Sequence, residues 1–220
     1  MTILKFIFRN LYFFRRQNLA VMAATILSTA VLTGALIIGD SIRFTLRNMV
    51  DLRLGKIRYA MQTGDRFVRN ELAYELTEKL GAAVSPVLPV QTIAINPENN
   101  SRINKANLLG IDTTFGLFFD NEMLQPEKDE VLINENTALK LGLTPGDEIL
   151  LRIQKVEVIP VNMPFSSSEN PSVSQRFVVK AIINREHSGR FSLKSNQAEP
   201  FNIYISKKAL ENKLELTGLA

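Results

Sequence analysis

The side chains that most often carry chemistry are sparse in this chain, and their spacing does not gather them. His187 is the only histidine, within Arg185-Glu186-His187-Ser188-Gly189-Arg190, and there is no cysteine. A metal centre or a Ser-His-Asp triad needs several converging groups, so a lone histidine reads as a surface loop residue. The lack of cysteine also excludes a disulfide framework and a thiolate nucleophile. Glycoside hydrolysis needs two carboxyl groups facing each other across a sugar ring. Asp129-Glu130 and Asp147-Glu148 are candidates by type, but they fall at strand starts and turns, where solvated charge is usual. No G-x-x-x-x-G-K followed by Ser or Thr occurs, so nothing here would cradle a nucleotide's phosphates. Phe115, Phe118 and Phe119 can form an exposed apolar contact, although core packing is the favoured reading. No catalytic, cofactor-binding or metal-ligating residue is assigned, no cofactor is expected, and the chain is not expected to be an enzyme.

Charge says where the chain works. Residues 1–16 carry Lys5, Arg9, Arg15 and Arg16 with no acid, which accounts for the whole net charge of +4. Residues 40–69 hold seven Lys/Arg against three acids, and residues 70–220 hold fifteen against nineteen. A nucleic-acid binder would carry its basic face on the folded domain. Here the basic residues cluster at the N-terminal end, and nucleic acid is not an expected partner.

The elements that must position everything else begin with a membrane segment. Between Arg16 and Asp40 lie 23 uncharged residues, QNLAVMAATILSTAVLTGALIIG. As a helix they would span roughly 34 Å, against a hydrocarbon core of about 30 Å. The hydroxyls of Thr25, Ser28, Thr29 and Thr33 can bond back to the preceding turn, so lipid need not strand them. A signal peptide would have a shorter apolar run and a small-residue cleavage site, and a core helix would show a polar face. Neither pattern is present. Small residues Ala23, Ala24, Ala30, Gly34 and Ala35 would let another helix approach closely. Before this run, Lys5, Arg9, Tyr12 and Arg16 recur at helical spacing opposite Ile3, Ile7, Leu11 and Phe14, with Leu4 and Phe8 beside them. That is the pattern of a helix lying in the bilayer interface. The organisation expected is therefore 1–16 an interfacial basic amphipathic segment, 17–39 a transmembrane helix, 40–57 a juxtamembrane stalk helix, and 58–220 an extracytoplasmic domain. Arg43, Arg47, Arg53, Lys56 and Arg58 nearly balance the positive-inside count, leaving a tilt toward a cytoplasmic N-terminus.

Past the membrane the fold class reads as α+β, with strands and helices mixed and no regular βα rhythm. Ser41 to Ile57 continues helically, with Gly55 near its end. Tyr59–Thr63 and Phe67-Val68 read as strand pieces around Gly64-Asp65. Asn70 is expected to cap a helix, ELAYELTEKL, ending at Gly81. Val87–Ile95 and Ile103–Ile111 read as a long hairpin across Asn96–Ser101. Asn99-Asn100-Ser101 matches a glycosylation sequon, to which little weight is given. Asp129–Ile133 reads as a strand, Asn134–Leu141 as a helix, Gly142–Asp147 as a turn and Glu148–Ile159 as a strand. Residues 162–175 read as a loop or hairpin tip, Arg176–Asn184 and Phe201–Ile205 as strands, and Ser206 as the cap of a last helix, KKALENKL.

This order resembles the start of a MacB/FtsX-type ABC transporter permease, the type VII or mechanotransmission class. Four places carry the resemblance. They are the basic segment feeding one membrane helix, and the stretch Gly39-Asp40-Ser41-Ile42-Arg43 to Leu52-Arg53-Leu54-Gly55, running on into Tyr59-Ala60 and Gly64-Asp65-Arg66-Phe67. The third is Val131-Leu132-Ile133-Asn134-Glu135-Asn136-Thr137-Ala138 with Leu141-Gly142-Leu143 and Pro145-Gly146-Asp147, similar to an element of the MacB-like periplasmic core domain. The last is Phe177–Ile182 followed by Phe201–Ile205, similar to its closing strands.

The resemblance implies a permease subunit in the plasma (inner) membrane, with its main domain extracytoplasmic or periplasmic. Its implied partners are a separate cytoplasmic ABC ATPase subunit, the lipid bilayer, and other permease copies or subunits. It also implies transmission in place of catalysis, with residues 17–57 carrying ATPase-driven motion outward. Such permeases carry at least three further membrane helices, and no second apolar run of that length occurs here, so the expectation is an N-terminal fragment or an unusual single-pass relative. The competing reading is a single-pass, membrane-anchored binding or adaptor protein without an ATPase partner. A membrane-anchored hydrolase has no residue set in its favour. The substrate is left open.

Overall fold

The computed structural model describes residues 3–64, 67–119, 125–154, 172–185, 187–194 and 198–219. The chain divides into two compact units, Met1–Met49 and Val50–Ala220, and its class is α+β as expected.

In the first unit, α1 covers Ile3–Phe13 and a long helix, α2, begins at Arg15. The step between them keeps its bonds: Phe14 N–H donates to the Asn10 carbonyl at 3.1 Å, and Asn18 Nδ2 donates to the Leu11 carbonyl at 3.3 Å. Within the apolar run, Thr25 Oγ1 donates to the Met22 carbonyl and Thr29 Oγ1 to the Thr25 carbonyl, both at 2.8 Å. Those hydroxyls are satisfied inside the helix, as a lipid environment requires. Among the described residues α2 is the one helix long and apolar enough to cross a membrane, and none of its residues is buried by protein.

α2 runs without interruption from Arg15 to Leu54, 40 residues, continuing past Asp40. At 1.5 Å per residue that is about 60 Å, roughly twice a bilayer's hydrocarbon thickness. Gly39 lies open in the middle and breaks nothing, because a single glycine only weakens a helix.

Among the described residues the second unit forms a closed barrel of six strands in the order β1-β2-β6-β3-β5-β4. The strands are β1 Leu88–Ile95, β2 Arg102–Ile111, β3 Glu130–Asn134, β4 Glu148–Gln154, β5 Ser172–Ile183 and β6 Asn202–Ser206. The helices are α3 Glu71–Leu80, α4 Glu135–Leu141 and α5 Lys207–Leu214. The hairpin β1–β2 is antiparallel, as are β1–β4, β4–β5 and β3–β6, whereas β2–β6 and β3–β5 are parallel. Alternation places Ile149, Leu151 and Ile153 of β4 and Phe177 and Val179 of β5 in one core, with Leu88, Leu108, Val131, Ile133, Ile203 and Ile205. The opposite faces of β2, β3 and β6 feed a second core through Leu109, Ile111, Leu132 and Tyr204. Burial on both faces explains the unbroken apolar runs Val131–Ile133 in β3 and Ile203–Ile205 in β6, and the Leu108–Ile111 end of β2.

Asn134 organises the middle of the unit. Its Oδ1 accepts from Thr137 N–H (3.1 Å), Thr137 Oγ1 (2.6 Å) and Asn202 N–H (3.2 Å), and its Nδ2 donates to the carbonyls of Gly189 and Pro200, both at 2.8 Å. It thereby caps α4 and pins the approach to β6. At the other end of α4, Gly142 adopts φ +67°, and Asn96 Nδ2 and Asn99 Nδ2 each donate to the Leu141 carbonyl at 3.0 Å. The sequon asparagine is thus engaged in a helix C-cap, which suits the little weight given to glycosylation. In the turn that follows, Asp147 Oδ2 accepts from Thr144 N–H at 2.6 Å and Thr144 Oγ1 at 3.0 Å.

Several expected elements are corrected. Tyr59–Thr63 and Phe67-Val68 form no strand; Phe67 packs against the first core, and just beyond it an isolated bridge joins Arg69 to Leu219. Asn70 and Ser206 precede helices but make no side-chain cap bond. Residues 172–175, read as loop, belong to β5 because they pair with Leu151–Gln154 of β4. Residues 162–171 of that loop, residues 155–159 of the expected strand, and Asp65 and Arg66 of the juxtamembrane motif lie outside the described residues.

Because Asn134 makes five bonds out of reach of water, Asn134→Ala should cost about 2–4 kcal/mol, mostly by stranding buried carbonyls and amides. Urea unfolding of the detergent-solubilised chain measures this, and a change below roughly 1 kcal/mol would contradict the assignment.

Candidate functional site

The residues that could have done chemistry are placed apart and already engaged. His187 lies in the turn after β5, where its backbone N–H donates to the Asn184 carbonyl at 3.3 Å; that bond does not involve the imidazole. Glu130 pairs with Lys180 Nζ at 2.6 Å, and that hydrogen bond holds its carboxyl below the ordinary glutamate value. Asp129 lies 3.5 Å from Lys213 Nζ, which also sits 4.1 Å from the Phe177 ring centroid, and burial pushes the Lys213 ammonium below its usual value. Asp147 is spent on its turn and Glu148 faces Arg176 at 3.2 Å. Among the described residues no three His, Cys, Asp or Glu side chains gather as a metal would need. Each expected carboxylate pair is split between separate structural partners.

What the barrel unit does assemble is a close-packed seat for the residues that end α2. The last turn of α2 closes with Gly55 at φ +54°, its N–H donating to the Asp51 carbonyl at 2.8 Å. Lys56 N–H then donates to the Phe118 carbonyl at 2.8 Å, and Ile57 packs against the second core. A Cβ at Gly55 would lie 2.4 Å from the Phe118 carbonyl oxygen and 3.0 Å from Phe119 Cδ1. Only glycine meets both demands, the left-handed backbone and the absent side chain. The sequence showed Gly55 as a helix stop; the close approach to Phe118 had no local signal.

Phe118 and Phe119 end a short 3-10 turn, Phe115–Phe118, that continues into the second core. The Phe115 ring lies 5.3 Å from Phe119, 5.2 Å from Phe191 in an edge-on arrangement, and 6.1 Å from Tyr204. Phe115 and Phe119 are buried and Phe118 is half-buried, in keeping with the core-packing reading. Tyr204 is fully buried on β6; its hydroxyl donates to the Ser188 carbonyl and accepts from Asn202 Nδ2 at 3.3 Å, and burial raises its pKa far above the usual phenol range. Asn202 Nδ2 also donates to the Phe191 carbonyl at 2.7 Å. Gly189 completes the packing, since a Cβ there would stand 2.5 Å from the Asn184 carbonyl oxygen. Phe191 and Tyr204 were not singled out in the sequence, because nothing local ties them to Phe115. The seat therefore runs from Gly55 through the phenylalanine turn to the centre of the β-sheet.

Comparison with known proteins adds the family. A family model described as the MacB-like periplasmic core domain matches residues 19–208. The crystal structure of the periplasmic region of MacB from Actinobacillus actinomycetemcomitans aligns at 14% identity and a TM-score of 0.43, covering 69% of this chain. The aligned part spans 61% of the length of that structure. No curated protein matches.

Gly55→Ala should displace the Phe118–Phe119 turn and lower stability by about 1–3 kcal/mol, combining left-handed backbone strain with the clash. Unchanged denaturant midpoints, with the Lys56 amide still protected from exchange, would show that the seat tolerates a side chain.

Proposed function

The chain belongs to the MacB-like periplasmic core domain family, and from that premise we propose that it is the membrane subunit of an ABC transporter, or the N-terminal part of one, that passes ATPase-driven motion to an outer barrel. The observation that carries the proposal is the extent of the family match. It takes in both the apolar run of α2 and the barrel, so the family signature includes a membrane helix as well as an outer fold.

The permease would bind a separate cytoplasmic ATPase, because this chain has no phosphate-cradling loop of its own. Closure of that ATPase would shift the membrane helices, and residues 17–57 would carry the shift outward. A continuous helix suits the task because its backbone hydrogen bonds make it stiff along its axis. The glycine-only seat at Phe118 supports the same reading from within the barrel unit, since a helix end that could slip would deliver no force. Other permease copies or subunits would complete the assembly. The role is transmission, and no enzymatic step is assigned to this chain.

Residues 1–16 would lie in the inner-leaflet interface of the plasma membrane, with the N-terminus cytoplasmic and the barrel extracytoplasmic. Lys5, Arg9, Arg15 and Arg16 carry no compensating acid, and Phe6, Phe8 and Phe13 are exposed on α1. Both features suit anionic headgroups above an apolar boundary.

The natural lack of cysteine makes the topology directly testable. A cysteine at Ser101 should react with an impermeant maleimide in intact cells with the outer barrier removed, one at Lys5 only after the membrane is opened, and one at Phe6 in neither case. Labelling of the Lys5 position from outside would reverse the orientation.

Transmission is tested by inserting Gly-Gly at Leu46 in the full-length protein. Transport should fall while the partner's basal ATP hydrolysis persists; unimpaired transport would remove the mechanical role. A chain that copurifies with no ATPase would be the single-pass binding module instead.

A further inference from the structure

Within the barrel unit, two segments distant in sequence meet on α5. Arg69 and Leu219 form an antiparallel bridge, and Asn70 N–H donates to the Gly218 carbonyl at 2.9 Å. The Glu211 carboxylate reaches both segments: Oε1 accepts from Asn70 Nδ2 at 2.8 Å and Oε2 accepts from Gly218 N–H at 3.3 Å. Lys207, one helical turn earlier, donates Nζ to Asn70 Oδ1 and stands 3.6 Å from Glu211 Oε1.

Lys207 and Glu211 are only 5% and 6% exposed. A charged pair so far from water is costly, and a well-packed apolar pair of the same volume would often be as stable or more so. Its presence calls for something an apolar pair cannot do. Here that is directional bonding to Asn70 and Gly218, which lie 137 residues before Lys207 and seven residues after Glu211. Desolvation lowers the Lys207 pKa, against the pull of Glu211 and Asp112. α5 is itself packed closely against β2. Leu210 is fully buried, and at Gly110 of β2 an added Cβ would lie 3.0 Å from Leu210 Cδ2 and 3.4 Å from Lys207 Cα. The turn that brings Gly218 back uses φ +82°, where a side chain would be strained.

We propose that Lys207 and Glu211 form a clasp that fastens residues 69–70 to residues 216–219 on α5, so that the two segments move as one with the barrel. In a transmitting protein the clasp would stop force from peeling either segment away before it reaches the sheet. That use rests on the permease reading; the clasp itself does not.

The test uses hydrogen exchange of the full chain in nanodiscs. In Glu211→Ala the Asn70 and Gly218 amides should exchange about tenfold faster or more, while the Val179 amide of β5 keeps its rate. Cysteines replacing Arg69 and Leu219 should form a disulfide on oxidation and restore slow exchange at Asn70 and Gly218 in the Glu211→Ala background. If Glu211→Ala does not fold, Glu211→Gln carries the same measurement, because it turns one acceptor into a donor facing another donor. Unchanged exchange at Asn70 and Gly218 would overturn the clasp. So would equal acceleration at Val179, which would make the pair a general stability element. Neither readout involves ATP or transport, so a failure of the permease reading would leave these outcomes unaffected.

Discussion

A strand that buries one face can leave the other to water; three strands of this barrel have no such freedom. β2, β3 and β6 present Leu108, Val131, Ile133, Ile203 and Ile205 to one core and Leu109, Ile111, Leu132 and Tyr204 to another. Every other feature of the unit follows from covering both faces. The second core needs a lid of its own, and the lid is the phenylalanine turn with Phe191. The end of α2 is seated on that lid, through the Phe118 carbonyl and the space left at Gly55. The helix end is thus joined to the central strands through the Phe118 carbonyl and the aromatic side chains of the second core.

Where polar groups do enter the interior, they join elements. Asn134 connects the start of α4 to the residues ahead of β6, Asn202 connects β6 to the backbone of Phe191, and Glu211 connects residues 70 and 218. A buried amide or carboxylate is expensive when unpaired and directional when paired, so each such residue specifies one arrangement among many that apolar packing would accept. Arg190 is the departure among the described residues: its guanidinium bonds Glu199 at 2.6 Å while its Nε has no partner. We have no physical account of that nitrogen.

The charged residues that might have suggested catalysis are spent on turns, ion pairs and helix ends. Close contacts run from Gly55 through the phenylalanine turn to Tyr204 of the sheet. The close approach at Gly55 and the packed second core both resist deformation, as close-packed interiors do.

Much of this was legible in the order of residues, and the limits of legibility are physical. An uncharged run of 23 residues declares a lipid helix by transfer energy alone. The hairpin β1–β2 and the passage from β3 through α4 to β4 announce themselves because turns, caps and alternation act over a few residues. What the tertiary structure decided is everything that depends on partners far away in the chain. The parallel pairing of β2 with β6 joins Asn107 to Asn202, and the barrel order follows from such pairs. Asn70 looked like a helix cap because Asn before a helix usually is one, yet a buried lysine and glutamate more than 130 residues away took its side chain. Gly55 looked like a stop, and only the approach of Phe118 made it irreplaceable. Local propensity is a matter of tenths of a kcal/mol per residue, whereas stranding a buried polar group costs about 1–3 kcal/mol. Where the two compete, the distant partner prevails, and no window of sequence contains it.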